Sequence, residues 1–512
     1  MQNWTAGYVA EIGYTYGYYS ELNPIRAKLA FLYAGLVPPN EHGIHCELGF
    51  GQGLSTNINA AAMNSKWYGN DFNPSQVSYA QELVNISGAN AELTDQSFQK
   101  FCTRTDLPQF DSIGLHGIWS WVSDENRKVI VDFVKNNLKV GGVLYISYNS
   151  LPGWANFIPM RHLMNTHVET MGSAGNGKIK NIEESINFVR KLCEANPNYI
   201  KINPHILERI KNLEKQEKNY LAHEYYNKDW VPMHFTEVSK WLEDAKLQFA
   251  CSANLLDHID NINLTTEQIK ILGAIDDINL KELVRDLCVN QQFRRDYWVK
   301  GSRKLNIHDQ IEELLDLKIV LIKPVNEIKL VISGPQGELK LNDEIYKPII
   351  NTLIKNNIKK IGQIKDEIKD CNINQNNIFQ AIFIMVALGY MAITQEDTSI
   401  VKAKLKTEKL NKFILKKSTK NAEINYLASP VIGAGISLTR FQQLFLYARV
   451  NGSIKSQEWA SYAWSILKSQ NQRILIQGKA LESDEENLKE LNNQALDFEK
   501  NHLPILKILG VA

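Results

Sequence analysis

Nowhere in the 512 residues does an apolar run approach the ~20 residues that a membrane-spanning helix requires. The opening Met1-Gln2-Asn3-Trp4 does not begin a signal peptide. Cysteine is scarce: Cys46, Cys102, Cys193, Cys251, Cys288 and Cys371 are scattered, with no C-x-x-C pair. That spacing excludes a thiolate zinc cluster, so no metal site is expected, and it suggests a reducing compartment. An excess of charge of either sign is also absent, with Lys+Arg 57 against Asp+Glu 56. A balanced chain has no global field to draw in nucleic acid. Together these absences predict a soluble cytoplasmic protein without membrane insertion. At 512 residues the chain exceeds what one core can serve, so three or four domains are expected.

What is present is a nucleotide-type turn. The short apolar run Gly43-Ile44-His45-Cys46 leads into Glu47-Leu48-Gly49-Phe50-Gly51-Gln52-Gly53. An acid closing a buried strand, followed by alternating glycines, lets backbone N–H groups approach a ligand that a Cβ would block. The dinucleotide fingerprint G-x-G-x-x-G would need glycine at 54, where Leu54 stands. Trp67-Tyr68-Gly69-Asn70-Asp71 reads as a second strand ending in an acid 24 residues beyond Glu47, the interval of one strand–helix–strand unit. A carboxylate there can accept both hydroxyls of a ribose. Phe72 follows it, and Asn73-Pro74 caps the next helix. After another 24 residues come Asp95-Gln96-Ser97-Phe98, placed to face an adenine, with Asp95 accepting from the exocyclic amine and Phe98 as a ring wall. Phe110 to Leu115 fits a fourth strand, Ser123-Asp124-Glu125 opens a helix, and Leu138 to Ser147 turns into a fifth strand. Alternating strands and amphipathic helices predict a parallel α/β sheet covered on both faces.

These motifs, in this order, resemble those of class I S-adenosylmethionine-dependent methyltransferases. The junction Ser147-Tyr148-Asn149-Ser150-Leu151-Pro152-Gly153-Trp154 is similar to that of bacterial methyltransferases carrying a methyltransferase regulatory domain. That group includes the rickettsial protein-lysine methyltransferases that modify outer-membrane protein B. Similar segments are Leu115 to Trp121, His223-Glu224-Tyr225-Tyr226-Asn227-Lys228-Asp229-Trp230, Phe249 to Asn254, and Val289 to Asp296. Weaker matches are Leu427 to Val431 and Ser437 to Phe441. The resemblance implies a Rossmann-like methyltransferase sheet interrupted by a helical insertion, then mostly helical, winged-helix-like middle and C-terminal domains. The expected boundaries are 1–154 and 226–262 for the methyltransferase domain, 155–225 for the insertion, 263–398 for the middle domain and 399–512 for the C-terminal domain. The insertion is expected to serve as a dimer contact, a lid or a surface excursion. In the middle domain, Ile328 to Ile332 and Tyr390 to Ile393 read as strands among helices, and the stretch is too poor in arginine to favour DNA. Lys402 to Lys420, with eight lysines and one glutamate, reads as a solvated linker face or a contact for an acidic partner.

By that resemblance the cofactor is S-adenosylmethionine, with S-adenosylhomocysteine as product, held by Glu47, Gly49, Phe50, Gly51, Asp71, Phe72, Asp95, Gln96, Ser97, Phe98 and His116. The acceptor is then a lysine of a protein, an outer-membrane or autotransporter-type chain before export. A small molecule or glycan, or a sensing role without catalysis, are the alternatives. A lysine must lose its proton first, which at pH 7 costs about 4–5 kcal/mol from a reference pKa near 10.4, and an apolar pocket reduces that cost. Aromatic faces can hold the methylammonium product. The rings nearest the motifs are Tyr14, Tyr16, Tyr18, Tyr19, Trp119, Trp121, Tyr148, Trp154, Tyr225 and Tyr226. Tyr16, Tyr18, Trp119, Tyr148, Asn149, Trp154 and Tyr225 are the expected acceptor-site residues, and His116 is the candidate base, ahead of His223.

Overall fold

The computed structural model describes residues 15–173, 175, 177–354 and 358–512. Tyr14 lies outside them. At the centre is a seven-stranded sheet: β1 Ile44–Leu48, β2 Lys66–Asn70, β3 Ala91–Thr94, β4 Phe110–Leu115, β5 Leu138–Asn149, β6 Leu247–Ser252 and β7 Phe293–Lys300. The spatial order is β3-β2-β1-β4-β5-β7-β6. β2 and β4 flank β1 in parallel, and β7 runs antiparallel to both β5 and β6. This is the class I methyltransferase-like sheet that the sequence predicts.

Its boundary requires a correction. The sheet does not close at 262, because β7 enters between β5 and β6 and pairs Asn149 with Phe293 and Val143 with Val299. In sequence β7 has the mixed pattern Phe-Arg-Arg-Asp-Tyr-Trp-Val-Lys, which reads poorly as a central strand. Its buried Arg294 and Asp296 neutralise each other, and Glu282 and Asp286 of the preceding helix complete the pairing, which the hydrophobic pattern does not reveal. The helical insertion is as expected, with helices between Ile158–Met171 and Lys218–Tyr225 enclosing an apolar core of their own.

Helix ends follow local chemistry. Asn73 accepts from Ser75 N ahead of Pro74, Ser123 from Asn126 N, and Thr265 and Ser483 complete capping boxes with Gln268 and Glu486. All nine residues of the helix Leu54–Ala62 are buried, although only one face can meet the sheet. Its other side is covered by the 22-residue helix Asp397–Ser418, which buries Ala403, Leu410, Ile414 and Leu415. The lysine-rich run is therefore a docking helix, not a linker: its lysines share it with an apolar stripe. Lys406 Nζ caps the buried helix at the carbonyl of Met63, 3.0 Å away.

The middle region also departs from expectation. Met391–Ile393 forms a strand, but its partner is Lys318–Leu321, which also pairs with Lys359–Lys360. Ile328 to Leu330 is not strand; Val331–Gly334 instead makes a separate hairpin with Gly337–Lys340. The helix Gln375–Ala387, preceding Met391–Ile393, buries eight of its residues, among them Ile382 to Val386. It has no free face to lay in a DNA groove.

Candidate functional site

The carboxyl ends of β1, β2 and β4 open into a cleft, at the point where the strand order reverses and open α/β sheets bind ligands. Gly49, Gly51 and Gly53 all take left-handed φ angles, +67°, +59° and +68°. A Cβ on Gly49 would stand 2.6 Å from the Ile118 side chain, and one on Gly53 2.6 Å from Ala80. The glycines permit this tight path, but their N–H groups are spent within the fold rather than on a ligand. Gly49 N and Phe50 N donate to the Asn70 carbonyl at 2.8 and 3.3 Å, and Gly51 N to Asp71 Oδ2 at 2.9 Å. These bonds tie the exit of β1 to the exit of β2 and fix Asp71 against the turn. Asn73 N holds the other carboxylate oxygen at 2.9 Å.

Of the cofactor residues expected from sequence, Glu47, Gly49, Phe50, Gly51, Asp71, Phe72, Ser97, Phe98 and His116 line the cleft. Asp95 and Gln96 do not. Asp95 is exposed, and the Gln96 carbonyl accepts from Asn70 Nδ2 at 2.8 Å on the strand-end side. The adenine acceptor is therefore to be sought elsewhere. Asn70 Oδ1 is buried with no hydrogen-bond partner among the described residues, and Asn70 lines the cleft. An orphaned acceptor beside a cradle too tight for a Cβ fits a polar ligand group.

Electrostatics narrow the ligand. Glu47, Asp71 and Asp229 line the cleft, and among the described residues no lysine or arginine does. Burial pushes the Glu47 carboxyl up to about 7, with Asp71 adding to it and the Thr56 hydroxyl, donating to Glu47 Oε2, opposing it. Burial likewise raises Asp71 to about 6, against the backbone N–H groups it accepts. Such a cleft suits hydroxyl donors and a cationic group; a pyrophosphate would meet carboxylates and no counter-charge.

His116 sits in the cleft as expected. Its ring stacks on Tyr19 at 3.5 Å, and its Nδ1 lies 2.8 Å from Tyr145 Oη. Burial lowers its pKa to about 4, with Glu21 opposing the shift. A ring that keeps a proton only near pH 4 is poorly matched to taking one from an ammonium. The geometry makes it a wall that positions Tyr19.

The acceptor residues expected from sequence are all elsewhere. The extended segment 15–19 alternates: Thr15, Gly17 and Tyr19 line the cleft, while Tyr16 meets Tyr79 edge-on and Tyr18 enters the core beneath Tyr426. Trp119 is fully buried against Trp241, and two residues further Trp121 faces the cleft instead. Tyr148 donates to Asp296 Oδ2 at 2.9 Å inside the sheet. Asn149 is buried, its backbone bridging Ser120 and Met233. Trp154 and Tyr225 close the insertion core, with the Arg209 guanidinium 4.1 Å over Trp154. Large rings gain most from burial, so an aromatic near a motif packs unless its backbone turns it outward. Among the cleft residues that sequence reasoning did not select are Thr15, Asn70, Trp121, Asn126, Asn227 and Asp229. The last two belong to the segment His223 to Trp230, so its family-like pattern was the available signal.

Comparisons with known proteins agree with this architecture. Residues 217–300 match the family model described as a predicted methyltransferase regulatory domain. In three dimensions that stretch supplies Asn227 and Asp229 to the cleft and both β6 and β7 to the sheet. The uncharacterized protein sll1526 of Synechocystis sp. is 38% identical over 99% of this chain and 100% of its own length. The uncharacterized protein RP789 of Rickettsia prowazekii is 24% identical over 75% of this chain and 73% of its own. Among solved structures, PKMT2 from Rickettsia typhi in complex with AdoHcy superposes with a TM-score of 0.68, at 20% identity, over 98% of this chain and 100% of that one. The chain therefore belongs to the same family as the Synechocystis protein, and it joins a class I S-adenosylmethionine-dependent methyltransferase fold to a methyltransferase regulatory domain.

Proposed function

We propose that the protein transfers methyl groups from S-adenosylmethionine to lysine side-chain amines of a polypeptide, an outer-membrane type of protein being the acceptor class. The observation that carries the reading is the cleft itself: a glycine turn locked to Asp71, two buried carboxylates, an orphaned Asn70 oxygen and no cationic side chain. Asp71, with lone pairs beyond the backbone N–H groups it accepts from, would take the ribose hydroxyls. Glu47, Asp229 and Asn70 supply acceptors along the same wall, and Phe50, Phe98 and Ile118 supply apolar faces. The cofactor supplies an electrophilic methyl on sulfur. The protein's part is to hold the amine in line with it and to keep water out, since positioning accounts for much of the rate in such transfers. With His116 depressed by burial, the amine gives its proton to solvent before the cleft closes.

The polypeptide acceptor is supported by the sequence resemblance to rickettsial-type lysine methyltransferases and by the full-length likeness to PKMT2. The insertion exposes Met171, Phe188 and Ile202, which fits its use as a homodimer contact. The test is mass spectrometry of a recombinant outer-membrane protein B fragment after incubation with the protein and S-adenosylmethionine. Gains of about 14 Da localised to lysines are expected. A protein that binds S-adenosylhomocysteine yet transfers nothing to lysine would refute the acceptor and leave the cofactor assignment standing.

A further inference from the structure

Part of the cleft is lined by Trp121, Asn126, Asn227 and Asp229, which come from neither the glycine turn nor the strand ends that carry Asp71 and Phe98. Trp121 closes the short helical turn Trp119–Trp121. Asn227 and Asp229 stand between the helices Lys218–Tyr225 and Phe235–Glu243, on a stretch with neither helix nor strand of its own. A backbone without ladder hydrogen bonds does not fix its own side chains, so this wall is as well placed as its outside ties make it.

One tie runs to the sheet side: Val231 N donates to the Ser120 carbonyl at 2.8 Å. The others come from the insertion. Arg161, on the helix Ile158–Met171, donates from Nη2 to the Asn227 carbonyl at 2.8 Å. One turn later, Asn165 Nδ2 donates to the Tyr225 carbonyl at 2.9 Å. The Arg161 guanidinium also lies over two indoles, 4.4 Å from the ring centre of Trp230 and 5.8 Å from that of Trp121. Trp230 in turn meets Trp154 edge-on at 5.0 Å, in the insertion core. Contacts therefore run unbroken from that core through Trp230 and Arg161 to Trp121 and Asn227 at the cleft.

Arg161 is an expensive residue for the place. It is 8% exposed and makes no ion pair among the described residues. Burial lowers its pKa to about 10, with Tyr226 and Glu224 opposing the shift, so it stays charged at neutral pH. An aliphatic side chain would fill the same space without the desolvation cost. What it would lack is a flat cation that lies against indole faces while donating to a carbonyl.

We infer that Arg161 is a positioning residue for the acceptor: it ties the helical insertion to the cleft wall of Trp121, Asn227 and Asp229. The inference rests on the reading of the cleft as a methyl-transfer site. The residues assigned to the cofactor account for the rest of the lining, so this wall is left for the incoming polypeptide. The insertion then governs the grip on the acceptor and not the grip on the cofactor.

The test compares the full-length wild type with Arg161→Met, and with Arg161→Lys in case the first does not fold. Calorimetry should find S-adenosylhomocysteine affinity changed by less than about threefold. In transfer to the outer-membrane protein B fragment, Arg161→Met should raise the KM for the fragment about tenfold, with kcat and the KM for S-adenosylmethionine within about threefold. Arg161→Lys keeps the charge and loses the planar fork, so it should raise the same KM about threefold. Trypsin supplies a readout independent of activity. Lys228 is exposed on the tied stretch, and cleavage there should quicken about tenfold in Arg161→Met, while Lys191 and Lys211 on the insertion helices are cut at wild-type rates. An unchanged KM for the fragment, or unchanged cleavage at Lys228, would overturn the inference. So would equal quickening at all three lysines, which marks a merely destabilised insertion, or a tenfold loss of S-adenosylhomocysteine affinity, which gives the wall to the cofactor. A wild type that binds S-adenosylhomocysteine and transfers nothing strikes the acceptor reading instead, and the cleavage pattern still decides whether Arg161 holds the wall.

Discussion

The two halves of the central sheet are assembled by different routes. On the β2-β1-β4 side, most of the cleft comes from one stretch, 47–126, in which each strand ends and its loop delivers an acid, a glycine or a ring. On the β5-β7-β6 side, Asn149, Ser252 and Phe293 end neighbouring strands although more than a hundred residues separate the first two. The first half is stabilised by hydrogen bonds between the ends of adjacent strands, such as Gly51 N to the Asp71 carboxylate. The second is held by side-chain ion pairs: Arg294 gathers Glu282, Asp286 and Asp296 from the preceding helix and its own strand, and Arg295 reaches Glu21 across 274 residues.

The largest effect is expected from attacking the Arg294 cluster. Arg294→Met leaves Glu282, Asp286 and Asp296 buried without their cation, so a loss of about 3–5 kcal/mol is expected in urea unfolding. A loss under 1 kcal/mol would show that the β7 side does not depend on this network.

Asp71→Ala attacks the other half. Removing an acceptor for two ribose hydroxyls should cost about 3 kcal/mol, or roughly a hundredfold in S-adenosylhomocysteine affinity, and unfolding should lose about 1–3 kcal/mol as Gly51 N and Asn73 N lose their acceptor. Calorimetry that finds the affinity unchanged would remove the ribose assignment.

The pH response sharpens the contrast without mutation. Asp71 and Glu47 have folded pKa values raised by burial to about 6 and about 7. A raised carboxyl contributes stability below its unfolded value that is lost as pH rises through the folded one. Without ligand, these two groups should therefore weaken the fold between about pH 4 and 7. Ligand hydroxyls need the ionised Asp71, so affinity should rise over the same range, roughly tenfold between pH 5 and 7.5 for a single group titrating near 6. Calorimetry in buffers of different ionisation enthalpy should detect proton release on binding at pH 5.5. A flat affinity profile would mean that Asp71 is not the acceptor.

The smallest effect concerns the segment that bridges cleft and C-terminal domain. Tyr18 donates to Asn59 Oδ1 at 3.1 Å, and its ring fills the space that Gly435 leaves. Tyr18→Phe should cost about 1 kcal/mol in unfolding, and cofactor affinity should fall by less than threefold. A larger loss of affinity would show that the C-terminal domain controls the cleft through residues 15–19.

The cofactor half was legible because its chemistry is local. Glu47, Asp71 and the glycines each sit at a strand end, and strand ends follow from hydrophobic pattern and spacing. Asp95 misled for the same reason: it has the right spacing, but Ser97 and Phe98 turn into the cleft and leave it exposed. The aromatic acceptor set was misplaced because sequence shows which rings are near a motif and not which way they point. Trp119 and Trp121 are two residues apart, one buried and the other lining the cleft.

By itself the sequence determined the parallel sheet through β5, the insertion, the helix caps and the glycine–acid core of the cleft. These depend on periodicity, capping and backbone freedom, which act within a few residues. Only the tertiary structure decided that Phe293–Lys300 completes the sheet, that Asp397–Ser418 covers the buried helix, and that five carboxylates pair with Arg285, Arg294 and Arg295. Charges and rings find partners across hundreds of residues, and those partners exist only once the chain has closed around them.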